Sequence, residues 1–197
     1  MKRNKVVTAE EAISAIKDGD VVCVTGFLGA GTADNLLVAL EKRYRESAAP
    51  KDMTLLYSSG PGDAKDRGLN RVGIEGMWKR VIAGHYGLVP KISQLVQANA
   101  VEGYNIPQGI LTNFYRAVAG RRPGVLTKVG LGTFVDPRIE GGKTNERAKE
   151  DLVDVVTLSG EEWIFMKSFP LNVALIRGTT ADSAGNISFE REILTID

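Results

Sequence analysis

Apolar residues along the chain alternate between a spacing typical of buried strands and one typical of helices. Val21–Val24 is a continuous apolar run of strand length, which fits a strand covered on both faces, and Met53–Tyr57 is predicted to be the next strand. Between these two segments, Leu36, Leu37 and Leu40 recur at helical spacing. A strand, a helix and a second strand in this order predict a right-handed βαβ unit.

Local signals mark the other helices. Thr8 and Glu11 have the spacing of a capping box and predict a helix that begins after Thr8 and stops near Gly19. Two further helices are predicted over Pro90–Asn99 and Ile110–Val118, where apolar residues again repeat every three or four positions. The chain therefore has helical segments between its early strands.

The second half of the chain is richer in strand-like segments, and the long polar segment Ser58–Gly76 before it is predicted to be a loop. The predicted strands after residue 80 are Val81–Ala83, Val101–Asn105, Val125–Val129, Val153–Leu158, Trp163–Met166, Val173–Ile176 and Ile187–Phe189. Ser159-Gly160 and Ala184-Gly185-Asn186 supply hairpin-type turns. The pattern predicts an α/β fold over residues 1–197, with an open mixed, mostly parallel sheet flanked by helices.

Composition narrows the classes of function. The 197 residues include 25 basic and 24 acidic side chains, a net charge of +1, which gives no reason to expect nucleic acid or an anionic membrane as partner. The apolar runs are too short to span a bilayer. The single cysteine, Cys23, cannot form an internal disulfide. These observations predict a cytoplasmic domain.

Two common kinds of catalytic site are excluded by residue types. A Ser-His-acid triad would have to use His85, the only histidine, and the chain has no G-x-S-x-G turn. A zinc site needs several histidine or cysteine ligands, and only His85 and Cys23 are present. We therefore predict no metal site, and we interpret His85 as a pocket-wall or structural residue.

A glycine-rich turn, Gly26–Gly31, lies between a predicted strand and a predicted helix, where α/β folds often bind phosphates. Its order is G-x-x-G-x-G, which differs from the dinucleotide motif, and no Walker lysine follows. Three interpretations remain open: a nucleotide- or phosphate-binding module, a tight turn without a ligand, and a turn whose amides approach an acyl group or a CoA thioester. In the last interpretation Gly26, Phe27, Gly29 and Gly31 contact the substrate.

A second candidate is the segment from Asn105 to Gly109, at the start of an apolar helix. Pro107 fixes the entry to that helix, and Gly109 keeps the space beside Gln108 open. The Gln108 amide either bonds to its own backbone as a helix-start residue or points its N–H groups at a developing oxyanion. The sequence alone leaves both possibilities open.

These motifs, in this order, resemble the N-terminal half of family I CoA-transferases, particularly the acetate or propionate CoA-transferases. The segments that carry the resemblance are Val24–Gly31, Tyr57–Asp63, Gly84–Tyr86, Tyr104–Thr112, Gly130–Arg138, Gly141–Asn145 and Ala174–Asp182. The family's glycine turn is commonly V-G-G-F, and here Thr25 stands in place of the first glycine.

The resemblance implies a two-half enzyme. In that family a glutamate of the second half attacks an acyl-CoA thioester, which gives an acyl-glutamyl anhydride and then a glutamyl-CoA thioester. CoA is a substrate, and no cofactor is permanently bound. The first half supplies acyl-pocket walls and an oxyanion donor from a P-Q-G motif, which maps onto Gln108, with Asn105, Pro107 and Gly109 as neighbouring substrate-binding residues.

The resemblance also predicts the partners. No counterpart of the catalytic glutamate's motif precedes Asp197, so we assign no nucleophile to this chain and expect a C-terminal half that carries it. Should the chain hold its own nucleophile, Glu102 and Glu140 are the first carboxylates to consider. We expect acyl-CoA and a short-chain carboxylate as ligands, and a homo-oligomer, because a missing half would leave an apolar face exposed. An acyl-CoA hydrolase of the same superfamily is the alternative.

Overall fold

The structure, a computed structural model, describes residues 4–193, so both termini of the predicted domain 1–197 lie outside the described residues. The helices are α1 (Ala9–Ser14), α2 (Asp34–Ser47), α3 (Pro90–Gln97) and α4 (Gln108–Ala119). The strands are β1 (Val21–Val24), β2 (Met53–Tyr57), β3 (Trp78–Ala83), β4 (Glu102–Asn105), β5 (Gly124–Thr127), β6 (Val153–Leu158), β7 (Glu161–Lys167), β8 (Val173–Leu175), β9 (Thr180–Ala181) and β10 (Ile187–Ser188).

The main sheet is open and parallel throughout, in the order β4-β3-β2-β1-β8. The antiparallel strands form separate units, a three-stranded sheet β5-β7-β6 and a β9-β10 hairpin. Both predicted hairpin turns are confirmed, since Ser159-Gly160 joins β6 to β7 and the turn at Gly185 joins β9 to β10. The predicted α/β fold with an open, mostly parallel sheet is therefore confirmed.

Two hydrophobic cores cover the two faces of the main sheet. Alternate strand residues point to opposite faces, and Leu55 and Val81 join the core formed with α1, α2 and α3. Their neighbours Leu56 and Ile82 join the other core, which contains α4 and the antiparallel sheet. Burial on both faces explains why the central strand β1 appears in the sequence as a continuous apolar run.

The first helix is correctly located but shorter than expected. The Thr8 hydroxyl accepts a hydrogen bond from the Glu11 backbone nitrogen at 3.2 Å, as a capping residue should. The helix ends at Ser14 rather than near Gly19. The following residues form a turn, in which the Lys17 backbone nitrogen donates to the Asp20 carboxylate at 2.8 Å.

The segment Ser58–Gly76 is more ordered than a long open loop. It contains a short 3-10 helix, Leu69–Val72, whose side chains at 69, 70 and 72 are buried. Asn70 is 1% exposed and donates hydrogen bonds to the carbonyl oxygens of Arg67 and Leu88. The segment is a loop as predicted, and the short 3-10 helix is an addition in which Asn70 satisfies carbonyl groups that have no partner in regular structure.

No helix within residues 4–193 is both long enough and apolar enough to cross a membrane.

Candidate active site at the carboxyl edge of the sheet

The carboxyl ends of parallel strands meet at one edge of a sheet, and this edge gathers the sequence motifs. Gly26–Gly31 follows β1, Ser58–Gly60 follows β2, Gly84–Tyr86 follows β3, and Ile106–Gly109 follows β4. In open α/β sheets ligands bind in the crevice at this edge. The fold therefore brings both candidate segments of the sequence to the position where a ligand site is expected.

Gln108 is exposed and is the first residue of α4. Its side chain lies directly over Gly84, where an added Cβ atom would be 2.7 Å from Cγ of Gln108. The same atom would clash with the backbone carbonyl of Ser58. The ends of β2, β3 and β4 thus converge on the Gln108 side chain.

The Gln108 amide is available to a ligand. Pro107, the residue before the helix, makes no side-chain capping bond, and its carbonyl accepts the backbone N–H groups of Ile110 and Leu111 at 2.9 and 3.2 Å. Across residues 4–193 we find no hydrogen-bond partner for the Gln108 side chain. Its N–H groups and the positive end of α4 can therefore both face an oxyanion.

Neighbouring residues hold Gln108 in place. The Asn105 side chain donates to the Ala83 carbonyl at 3.0 Å, and its backbone nitrogen donates to Gly142 at 2.7 Å. Asn105 therefore acts first as a structural link between β3, β4 and a later loop. Pro107 sets the direction of entry into α4 with φ of −50°, and a Cβ atom on Gly109 would meet nothing within 4 Å.

The glycine turn presents two apolar side chains. Phe27 and Ala30 exchange two backbone hydrogen bonds, each 3.0 Å long, which close a tight turn. Leu28, at the tip, has φ of 55°. Phe27 and Leu28 are 38% and 45% exposed, so the turn points apolar surface outward from the sheet edge.

Glycine is required at the base of this turn. Gly26 has φ of +118°, and a Cβ atom there would lie 2.6 Å from the Thr32 hydroxyl oxygen. Gly29, in contrast, has open space around it, and Gly31 has φ of +65°. Thr25 is 8% exposed and extends the pairing of β1 with β8, since its backbone nitrogen donates to the Leu175 carbonyl.

The start of α2 is unsuited to a phosphate. This helix begins at Asp34, whose carboxylate accepts two hydrogen bonds from Arg71, at 2.9 and 3.0 Å, and one from the Gly68 backbone nitrogen at 2.9 Å. The hydrogen bonds from Arg71 hold the pKa of Asp34 below its ordinary value. An ionised side chain thus occupies the position that a bound anion would take at a helix N-terminus.

Other candidate groups lie around the edge or away from it. The exposed His85 lies beside Gly60 and Gly87, where it forms part of the surface at the end of β3. Glu102 is at the amino end of β4, opposite to Gln108, and pairs with Arg80 at 2.6 Å. Glu140 is exposed. No three His, Cys, Asp or Glu side chains among the described residues are grouped as metal ligands.

Sequence reasoning missed one feature of the site. Residues 142–144 run antiparallel to the outer side of β4: the Thr144 nitrogen donates to Gly103 at 2.9 Å, and the Asn105 nitrogen donates to Gly142. The pair Gly141-Gly142, both with positive φ, was the available signal. It indicates a turn but does not identify the strand against which the following residues pair.

The chain thus combines an open parallel sheet with a glycine turn and a helix-start glutamine at the carboxyl edge of that sheet. Residues 6–196 match the family described as Coenzyme A transferase, and the chain belongs to it.

Individual relatives refine the comparison. The chain is 45% identical to the caffeate CoA-transferase of Acetobacterium woodii over 95% of its own length and 36% of that protein. It is 40% identical to the acetate CoA-transferase YdiF of Escherichia coli over 99% of this chain and 37% of the relative. The chain thus spans little more than a third of these two relatives. It is 28% identical to the acetate CoA-transferase subunit alpha of E. coli, covering 76% of that subunit and 95% of this chain.

A solved structure supports the fold. The YdiF acyl-CoA transferase of E. coli O157:H7, determined as a thioester complex with CoA, superposes with a TM-score of 0.93 at 40% identity, over 97% of this chain and 38% of that one.

Proposed function

We propose that this chain is the N-terminal, alpha-type half of an acyl-CoA:carboxylate CoA-transferase of the acetate or propionate type. The observation that carries the proposal is the position of Gln108, whose amide has no partner among the described residues and lies at the start of α4 above Gly84. The likeness to an alpha subunit, and to little more than a third of a longer relative, supports assignment to this half.

The proposed reaction proceeds through a glutamate of the C-terminal half. Its carboxylate attacks the thioester carbonyl, the C–S bond breaks, and CoA leaves as a thiolate from an acyl-glutamyl anhydride. The thiolate attacks the glutamyl carbonyl of the anhydride, which releases the first carboxylate and leaves a glutamyl-CoA thioester. An acceptor carboxylate then repeats these two steps in reverse, and the new acyl-CoA departs.

In this scheme Gln108 stabilises the charge on the thioester oxygen. As the carboxylate adds, the carbonyl oxygen becomes an oxyanion, and a fixed N–H donor close to it lowers the barrier. Within residues 4–193 the amide has no other bond, and its side chain packs over Gly84 at the sheet edge. Little reorganisation is then needed at the moment of reaction.

The turn Gly26–Gly31 supplies the opposite wall of the acyl site. Phe27 and Leu28 present apolar surface there, which suits a short acyl chain, and Gly29 leaves room for close approach of the thioester. The acidic start of α2 disfavours the alternative of a nucleotide- or phosphate-binding module. We propose that the enzyme is cytoplasmic and forms a homo-oligomer.

The test is CoA transfer from acetyl-CoA to propionate, using this chain alone and then with a C-terminal half added. We expect no propionyl-CoA from the chain alone and ping-pong kinetics once the halves are combined. Full activity from this chain alone would show that the nucleophile is among its own carboxylates. Release of free CoA that is independent of propionate would identify a hydrolase instead.

A further inference from the structure

The segment from Gly130 to Gly142, here called the Gly130–Gly142 loop, lies at the same edge of the sheet as Gln108. Residues 142–144 pair antiparallel with the outer side of β4, so Thr144 lies beside Gly103 and Gly142 beside Asn105. Following this segment backwards leads towards the carboxyl end of β4. The residues before Gly142 therefore lie beyond that end, where α4 begins with Gln108.

A buried carboxylate fixes the shape of the Gly130–Gly142 loop. Asp136 is 1% exposed and accepts hydrogen bonds from the backbone nitrogens of Gly132 and Arg138, both at 3.0 Å. The Arg138 guanidinium donates two more, at 2.9 and 2.8 Å. The Asp136 carbonyl accepts the backbone nitrogens of residues 139, 140 and 141. Asp136 therefore binds both ends of the segment from Gly132 to Gly141.

Hydrogen bonds also attach the loop to β7 on one side and to β4 on the other. Arg138 donates two hydrogen bonds of 3.0 Å to Glu162 on β7, and Val135 is buried beside Gly130. The Gly142 nitrogen donates to the Phe134 carbonyl at 2.9 Å, while its own carbonyl accepts from Asn105. Two successive backbone hydrogen bonds, through Gly142, therefore link Phe134 to Asn105, the last residue of β4.

Two large apolar side chains of this loop, Phe134 and Ile139, stay exposed, and Phe134 is the aromatic one. Its neighbours Val135 and Asp136 are 1% exposed, whereas Phe134 is 43% exposed. Covering this aromatic side chain with a ligand or partner would remove apolar area from water, which is favourable. Its location beyond the end of β4 makes the acyl group the ligand that it would meet.

We propose that the Gly130–Gly142 loop is a preformed wall of the acyl pocket, in which Phe134 contacts the acyl group and limits its size. This inference rests on the proposed function, since it assumes an acyl-CoA at Gln108. Asp136 is a positioning residue, because it holds the loop and touches no substrate. An acyl site discriminates by about 10–200-fold for each methylene group that its apolar wall accepts or rejects.

The experiment compares acetyl-CoA with hexanoyl-CoA as donors for the complex of this chain with its C-terminal half. We expect Phe134→Ala to raise the ratio of kcat/KM for hexanoyl-CoA to that for acetyl-CoA by about tenfold or more. Val38→Ala is the matched control, since Val38 is 41% exposed but lies within α2, and it should leave the ratio unchanged. Asp136→Asn should raise the ratio in the same direction, with KM affected more than kcat.

A ratio that stays within twofold in Phe134→Ala, with normal turnover, overturns the inference and leaves the proposed function intact. A complex without transfer activity counts against the proposed function instead. In that event, equilibrium binding of acetyl-CoA and hexanoyl-CoA to the same complex decides the inference. A ratio of affinities that shifts about tenfold in Phe134→Ala supports it, and an unchanged ratio overturns it.

Discussion

Gly84 and Gln108 are so close that the Gln108 side chain passes through the space a side chain on Gly84 would fill, with Cγ 2.7 Å from the position of the missing Cβ. The two residues follow different strands, β3 and β4. Their packing ties the orientation of a candidate oxyanion donor to the absence of a single methyl group.

Gly84→Ala should therefore impair both stability and catalysis. The added Cβ would clash with the Ser58 carbonyl and with Gln108, and overpacking of this kind costs about 1–3 kcal/mol. Displacement of Gln108 should lower kcat at least tenfold in the complex with the C-terminal half. Urea unfolding and steady-state kinetics measure the two effects, and an unaffected kcat would show that Gln108 does not need this support.

Gly109→Ala should separate stability from activity. Gly109 is in the first turn of α4, where nothing lies within 4 Å of an added Cβ atom. Alanine is favoured over glycine in helices by up to about 1 kcal/mol, so the free energy of unfolding should rise by a few tenths to about 1 kcal/mol. We expect kcat/KM for acyl-CoA to fall, because the methyl group occupies space beside Gln108. Activity that rises with stability would remove Gly109 from the site.

Gln108→Ala should lower kcat by about 10²–10³, the usual effect of losing one oxyanion donor, with little change in the KM for acyl-CoA. Asn113→Ala is the control on the same helix, since Asn113 is exposed and its side chain bonds only to the Gly109 carbonyl among the described residues. A loss of less than threefold in Gln108→Ala, which is under about 1 kcal/mol of barrier, would rule out the proposed role.

Glu102→Gln tests whether the alternative carboxylate is a nucleophile. Glu102 pairs with Arg80 at the end of β4 away from Gln108, and both side chains are more than four-fifths buried. Loss of a hydrogen bond between charged groups should lower stability by about 1.5–3 kcal/mol. The kcat of the complex should stay within twofold of wild type, and the chain alone should remain inactive. Abolished turnover in a folded variant would return Glu102 to consideration.

Asp34→Asn should change the pH dependence of stability. Hydrogen bonds from Arg71 lower the pKa of Asp34 in the folded state. The contribution of Asp34 to the free energy of unfolding is therefore complete above its unfolded pKa of about 3.9. It is lost as the pH falls through the lower, folded-state pKa. The variant should thus be less stable than wild type at pH 7, and the difference should shrink below about pH 4. Urea unfolding at pH 7 and pH 3 measures this, with exposed Glu146→Gln as control.

The sequence was sufficient for the main sheet because its strands are buried on both faces. Val21–Val24 is apolar throughout, and Met53–Tyr57 is apolar except for Thr54, so both segments have the composition of strands buried on two faces. The sequence also placed Gln108 at the start of a helix, since Pro107 marks such starts.

Contacts between distant segments could not be predicted in the same way. The 3-10 helix Leu69–Val72 depends on hydrogen bonds from Asn70 to Arg67 and Leu88, and nothing in the local pattern identifies the latter partner. In the sequence Asp136 is an ordinary acidic residue of a loop, and only the structure shows that it is buried and accepts hydrogen bonds from backbone nitrogens. The position of Gln108 over Gly84 likewise depends on the register of β3 against β4.

The two edge strands of the parallel sheet, β4 and β8, differ in how many of their backbone groups are paired, because residues 142–144 pair antiparallel with β4. On the β4 side, the backbone N–H and C=O groups that face outward already have partners. On the β8 side, no strand within residues 4–193 occupies the outer position. An unpaired edge strand promotes pairing with other chains. Self-association of the isolated chain should therefore proceed through β8, and a lysine or proline placed there should suppress aggregation without reaching the candidate site.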